Sequence, residues 1–419
     1  MKPAVLFLNT RRTELEYAPA FEAARELGYD PVLICDADPG PAKLRYAAEV
    51  HVVDTYDADK TVDLARDIAR HRTVAGVTTW SDRDVVTVAL IAEALGLPGT
   101  PVEAARAVRN KALMRRRLAH RPELIPPFRV VRGREDLAEA VAAIGFPAVL
   151  KPTVGSGSKG IYLLHDETAA ERAWEALDAY TTAGGDRVFE SAPGELVYER
   201  MLQGTEHSVE GFVSDGRIVT AGITDKETTP DFRLEAAHVF PTALPEESAA
   251  VVHRFAEAVV AEYGLDNCAF HLECILEDDG EPRLVEVAGR IGGDYITSHL
   301  VPLATGRSYY ADAVRVATGE PLTGADYTAD HIATVRKAMA DRAGTFRGIA
   351  NWEETAADDR LVACCLEHAD GDAVRLPPDD FMSCVVATLI ARRPLGDREQ
   401  AVHDVAAIAA DLEVEIERP

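Results

Sequence analysis

The chain has 419 residues, 47% apolar and 27% charged, the make-up of an ordinary globular protein with length for two or three domains. Its net charge of −26 disfavours nucleic acid as a partner, because that binding needs basic surface to displace counterions. No apolar run approaches a membrane span, and the six cysteines (35, 268, 274, 364, 365 and 384) lack metal-site spacing, so no membrane partner and a reducing, cytoplasmic setting are expected.

Residues 1 to about 100 alternate apolar runs with amphipathic ones. Strands are predicted at Val5–Leu8, Pro31–Cys35, His51–Val53 and Ala75–Thr79, with helices at Glu14–Leu27, Ala58–Arg70 and Asp82–Leu95. Such alternation gives a parallel sheet covered by helices. The run Ala4–Leu8 is too short for a signal-peptide core and meets polar Asn9-Thr10-Arg11-Arg12 at once. That polar turn sits at a strand's carboxyl end, where open α/β sheets receive ligands, and is a candidate substrate contact. The first strand is not followed by G-x-G-x-x-G, which argues against a dinucleotide site.

Thr100-Pro101-Val102-Glu103 predicts a helix start, with Thr100 as the N-cap and Glu103 as its reciprocal partner. A basic stretch follows (Arg109, Lys111, Arg115, Arg116, Arg117, Arg121), most of it readable as a solvated helix face. Lys151 ends an apolar strand and precedes Gly155-Ser156-Gly157-Ser158-Lys159-Gly160, a small-residue loop whose N–H and hydroxyl groups suit phosphate oxygens. It lacks the P-loop order of residues, and a plain hairpin turn would also fit.

Strands are expected at Leu196–Leu202, Glu206–Val213 and Ile218–Lys226, then an irregular loop over Asp225–Leu234 leading to His238-Val239-Phe240-Pro241, and a helix at Ala249–Tyr263. The stretch 270–294 reads as a hairpin about Asp279-Gly280, the pair favoured by two-residue type I′ turns with positive φ at both positions. A turn centred there sets Glu273 opposite Glu286. Opposed Cβ atoms lie roughly 4.5–5.5 Å apart and like charges there destabilise, so a compensating charge is required. Mg²⁺, commonly held by one or two carboxylates and nucleotide phosphates, is the simplest. Alternation predicts His271, Glu273, Leu284 and Glu286 on one face and Leu272, Cys274, Val285 and Val287 on the core face. Arg290 and Gly292-Gly293 follow, a cation and bare backbone suited to phosphate or an anionic intermediate.

Beyond Asp294, helices are predicted at Ile296–Leu303 and Tyr309–Thr318, a boundary over 321–330, strands near 331–338, 361–366 and 383–391, and a closing helix near 398–411.

Lys111, Lys151 with its loop, Glu199, Glu206, Glu273, Glu286 and Arg290, in this order, resemble the ATP-grasp superfamily over residues 1 to about 320. His238, the spacing of Glu286 and Arg290, and the C-terminal segment make the chain similar to the dipeptide-forming L-amino-acid ligases of the bacilysin type. The resemblance implies an ATP-grasp fold of mixed α/β and α+β class. It would comprise a Rossmann-like N-terminal domain (1–100), a lid subdomain (101–190), a subdomain carrying the Mg site (191–325) and a small α+β cap (326–419).

By the same resemblance, Lys111, Lys151, Gly157 and Ser158 would meet the ATP phosphates, Glu199, Met201 and Leu202 the adenine, and Glu206 the ribose. Glu273 and Glu286 would hold Mg²⁺ or Mn²⁺, Arg290 would stabilise the reacting anion, and His238, Gly293 and Asp294 would line the substrate site. Ala288 stands where many members carry Asn, leaving a third metal ligand in question. The implied activity is ATP-dependent joining of an amino acid, or a similar small-molecule carboxylate, to an amine-bearing amino acid through an acyl phosphate, releasing ADP and phosphate, with a homodimer left open. A ligase or carboxylase with another acceptor and a catalytically silent nucleotide-binding regulator are the alternatives.

Overall fold

The computed structural model of the protein describes residues 2–322, 324 and 326–418. Thr323 and Ala325, within the boundary expected over 321–330, lie outside the described residues. The N-terminal sheet has the strands β1 (Ala4–Leu8), β2 (Asp30–Cys35), β3 (Glu49–Val52) and β4 (Val74–Thr79), all parallel in the order β3-β2-β1-β4. The helices Glu14–Glu26, Ala58–His71 and Val85–Leu95 cover it, close to expectation. Its central strand is buried on both faces, with Val5 and Phe7 packed toward Phe21 and Trp80, and Leu6 and Leu8 toward Val62, Ala65 and Ile91.

A second, antiparallel sheet of β5 (Phe128–Val131), β6 (Ala148–Pro152), β7 (Tyr162–Leu164) and β8 (Leu196–Arg200) runs β5-β8-β6-β7. The largest sheet takes in β9 (Gly204–Ser214), β10 (Arg217–Thr228), β11 (Glu235–Phe240), β12 (Cys268–Glu277), β13 (Pro282–Ala288) and β14 (His331–Met339). After β15 (Gly344–Ile349), β16 (Ala363–Leu366), β17 (Ala373–Val374), β18 (Val385–Pro394) and β19 (Val414–Glu417), its order is β13-β12-β9-β10-β11-β14-β18-β16. The C-terminal segment therefore extends the central sheet through β14, and only β17-β15-β19 stand apart. Among the described residues no helix is long and apolar enough to cross a membrane.

Two local expectations shift. Thr100 does not cap the next helix, which begins at Val102; its hydroxyl accepts the Asp266 N–H at 3.0 Å instead. The loop expected over Asp225–Leu234 is shorter, because β10 runs to Thr228 and pairs with β11 (Lys226↔His238, Glu227↔Ala237).

What positions the site is the back of β12. Phe270, Leu272 and Cys274 pack with Val252, Val259, Val260 and Tyr263 of the helix Glu246–Tyr263. Each large buried apolar side chain contributes about 1.5–3 kcal/mol, so this face is pinned and its alternate residues, His271 and Glu273, turn the other way.

Candidate active site

The hairpin brings Glu273 opposite Glu286, but not by the expected turn. Leu276 pairs with Pro282 around a three-residue loop, Asp278-Asp279-Gly280, in which only Gly280 has positive φ (81°). This is the three-residue hairpin with a left-handed glycine, and it displaces the register by one. A bulge then leaves Val285 unpaired, and the ladder resumes at Glu273↔Glu286. Two departures cancel. Leu284 consequently pairs with Cys274 and joins the core, correcting its expected place beside the glutamates, and Val285 leaves the core face.

Two lysines offset the like charges. Glu273 Oε1 accepts Lys226 Nζ at 2.7 Å and lies 3.1 Å from His271 Nε2, while Glu286 Oε2 lies 2.8 Å from Lys111 Nζ. Lys111 also donates to the Gly155 carbonyl at 3.0 Å, tying the metal-type pair to the small-residue loop. Among the described residues Glu273 Oε2 and Glu286 Oε1 take no hydrogen bond, so each carboxylate has one oxygen that could meet a cation. Burial opposes ionisation of Glu273, but Lys226 and then His271 hold its carboxyl well below the usual range. His271 lies opposite both Glu210 and Ala288, and its Nδ1 bonds to Glu210. Burial works against its charge; Glu210 and Glu273 outweigh that and push it up to about 9.

On the neighbouring sheet, Lys151 Nζ lies 2.8 Å from Glu199 Oε2, and Arg115 Nε donates to Glu199 Oε1 at 2.6 Å. Arg115 Nη2 crosses to the Val285 carbonyl at 2.8 Å, the group that the bulge releases. Arg115, which the sequence groups with the solvated arginines of its helix, is fully buried. The available signal was its i+4 position from Lys111, which puts both on one helix face. Glu199, expected at the adenine, has both carboxylate oxygens engaged by Arg115 and Lys151. Arg115→Met should lower stability by about 3 kcal/mol, since Glu199 keeps Lys151 but its Oε1 and the Val285 carbonyl both lose their charged donor; an unchanged urea midpoint would contradict this.

Lys151, Lys111, Gly157, Ser158, Glu199, Met201, Leu202, Glu206, Glu273, Glu286, Arg290, Gly293 and Asp294 all line one cleft of about 510 Å³. Ser158, at φ 56°, donates its hydroxyl to the Arg233 carbonyl at 2.8 Å, which fastens the small-residue loop to the loop after β10. The Met201 N–H is taken by the Pro147 carbonyl at 3.1 Å. Glu206 meets Arg233 and, at 3.2 Å, Lys226.

Lys226 was not singled out from sequence, where it is one lysine in a polar strand. Its ammonium is buried among Glu206, Glu235 (2.7 Å) and Glu273, and although burial disfavours its charge, those carboxylates raise it well above the ordinary range. His238 is buried behind Glu235, at 3.7 Å, and does not line the cleft. Glu235, His238 and Asp294 place ligand atoms within 4.8 Å of one another. Lys226 on Glu235 and Lys337 on Asp294 already balance those carboxylates.

The N-terminal sheet supplies the remaining wall. Asn9 is spent internally, donating to Asp84 at 2.6 Å and Thr55 at 3.0 Å, and Arg12 pairs with Glu367; Arg11 enters the cleft. Arg290 Nη1 donates to the Ile291 carbonyl at 3.1 Å, and its Nε, 3.6 Å from Asp82 Oδ1, has no hydrogen-bond partner.

Residues 144–298 match the ATP-grasp domain and residues 21–99 the ATP-grasp N-terminal domain. An uncharacterized protein, y4rH, of Sinorhizobium fredii is 29% identical over 85% of this chain and 72% of its own length. The alanine–anticapsin ligase of Bacillus subtilis is 31% identical over 52% of this chain, which spans only about half (48%) of that relative. The crystal structure of an L-amino acid ligase from Bacillus licheniformis superposes with a TM-score of 0.88 at 20% identity, covering 99% of both chains, a likeness of fold. On its two matched domains and the shared architecture, the chain is a member of the ATP-grasp superfamily.

Proposed function

We propose that the protein is an ATP-dependent carboxylate–amine ligase that joins an amino acid, or a similar acid, to an amine-bearing amino acid. The observation that carries this reading is the facing pair Glu273–Glu286 in one cleft with Lys111, Lys151 and an under-satisfied Arg290. A carboxylate is a poor electrophile. Its oxygen therefore attacks the γ-phosphorus of ATP, the bond to the β-phosphate oxygen breaks, and ADP leaves an acyl phosphate behind. The amine nitrogen then attacks the acyl carbon, the C–N bond forms as the C–O bond to phosphate breaks, and the nitrogen gives up a proton.

Both steps concentrate negative charge, which fixed cations in a cleft closed to water stabilise best. Lys111 and Lys151 would take the nucleotide phosphates under the Gly157–Ser158 loop, with Glu199 and Arg115 fixing Lys151 from behind. The base would bond to the Met201 carbonyl and the Leu202 N–H, since the Met201 N–H is already spent, and Glu206 would take the ribose. The free oxygens of Glu273 and Glu286 fit Mg²⁺ or Mn²⁺ as a two-carboxylate set completed by phosphates, and the ion would neutralise charge on the transferring phosphoryl group. Arg290 would donate to the acyl phosphate and to the oxyanion formed when the amine adds. Gly293 and Asp294 would border the substrates, and Asp294 or Glu235 would receive an ammonium group, with His238 supporting Glu235 from behind.

The expected result is phosphate release that requires an amino-acid pair, with a product lighter than the pair by one water. Screening the L-amino acids singly and in pairs, with bicarbonate and simple amines as controls, tests this. Release driven by bicarbonate alone, or without any acceptor, would point to a different ATP-grasp reaction.

A further inference from the structure

Among the described residues, Arg11 is the lysine or arginine lining the cleft that makes no hydrogen bond. Lys111, Lys151, Lys226 and Arg233 each hold a glutamate, and even Arg290 donates to a carbonyl. The nearest acid to Arg11 is Glu16, whose Oε1 stands 3.9 Å from Nε, and that Nε is buried without a partner. Only Nε is shut off from solvent; the side chain keeps 29% of its exposure, so its two Nη groups stay open to an anion entering the cleft.

Its placement is built. Arg11 lies in the turn after β1, past Asn9 and Thr10, and its guanidinium lies against the backbone of Gly293, where any side chain would overlap it. Glycine at 293 thus leaves this place to the guanidinium, which a side chain there would displace. Of the groups assigned above to phosphoryl transfer, Lys111 opens a helix, Lys151 lies on β6, Glu273 and Glu286 lie on β12 and β13, and Arg290 lies in the turn after β13, whereas Arg11 comes from the loop after β1 of the N-terminal sheet and borders the same cleft. Trp80 and Ser81 at the end of β4 line that wall beside it.

Resting on the ligase reading, we propose that Arg11 binds a free carboxylate carried by the amine-bearing substrate, so that the acceptor is an amino acid and not a simple amine or a blocked peptide end. A planar guanidinium with a fork of donors matches a carboxylate in two parallel hydrogen bonds. The first substrate's own carboxylate is consumed at the phosphoryl-transfer end and cannot serve here.

Binding calorimetry on the full chain with Mg²⁺ and ADP, titrating each L-amino acid and its C-terminal amide, tests the proposal. In the wild type, amidation of the acceptor should weaken binding about 10- to 100-fold, as expected for loss of a charge-assisted pair. In Arg11→Met the free acid should weaken by the same factor and amidation should cost nothing further, with Arg11→Lys intermediate. Gly293→Ala, which evicts the guanidinium while leaving residue 11 intact, should lose the same discrimination, and thermal unfolding verifies that each variant is folded. In turnover, Arg11→Met should raise KM for the acceptor far more than it lowers kcat. An equal amidation penalty in wild type and Arg11→Met overturns the assignment, as does a discrimination that follows a second carboxylate on the phosphorylated substrate, or the absence of binding by every amino acid. Failure of the ligase reading shows separately, as no phosphate release with any pair while the calorimetric difference between acid and amide persists.

Discussion

Replacing Glu273 or Glu286 by glutamine should cut amide formation by about 10²–10⁴-fold, because metal stabilisation of transferring charge is worth several kcal/mol and each 1.36 kcal/mol is tenfold in rate. The structure explains why both variants should fold. Without the Glu286 charge, Lys111 still has the Gly155 carbonyl; without that of Glu273, Lys226 keeps Glu206 and Glu235, and His271 keeps Glu210. The effect should appear in ion binding as well as in rate. Mn²⁺ titrated into the protein with ADP and followed by electron paramagnetic resonance should half-saturate at higher concentration in both variants. Wild-type half-saturation together with wild-type turnover would remove these two residues from the metal assignment.

Arg290→Ala should leave nucleotide binding close to wild type and lower amide formation by at least about 10²–10³-fold, the usual cost of removing one donor aimed at a developing oxyanion. Asp82 would not be stranded, since Arg109 holds its other oxygen at 3.0 Å, so the local structure should survive the truncation. Hydroxylamine trapping divides the two steps. Hydroxamate formed by the variant would confine Arg290 to the attack of the amine, and its absence would place the guanidinium in phosphoryl transfer as well. Product formation at the wild-type rate would end its role in either.

The central pairing shows how sequence and structure divide the work. Alternation along 270–288 and a turn-forming Asp-Gly brought Glu273 opposite Glu286 on paper, and they do face each other. The geometry reached that register by a longer loop and a bulge, which the residue pattern does not distinguish from a tight turn. The bulge matters because it frees the Val285 carbonyl for Arg115, and so links the metal-type hairpin to Lys151 through Glu199.

What the chain determined by itself was local or ordered: the parallel N-terminal sheet, the helices around it, and the succession of Lys111, Lys151, Glu206, Glu273, Glu286 and Arg290. Period and spacing encode the sheet and the helices within a few turns of chain, and the ordered residues are legible through their resemblance to the ATP-grasp superfamily. Arg115, Lys226 and Glu210 were decided only by tertiary structure, which also picked Arg11 out of the polar turn Asn9–Arg12. A lone charged residue in a helix or strand reads as a solvated one, and only the packing of three sheets around one cleft removes the water and supplies the partner, or withholds it.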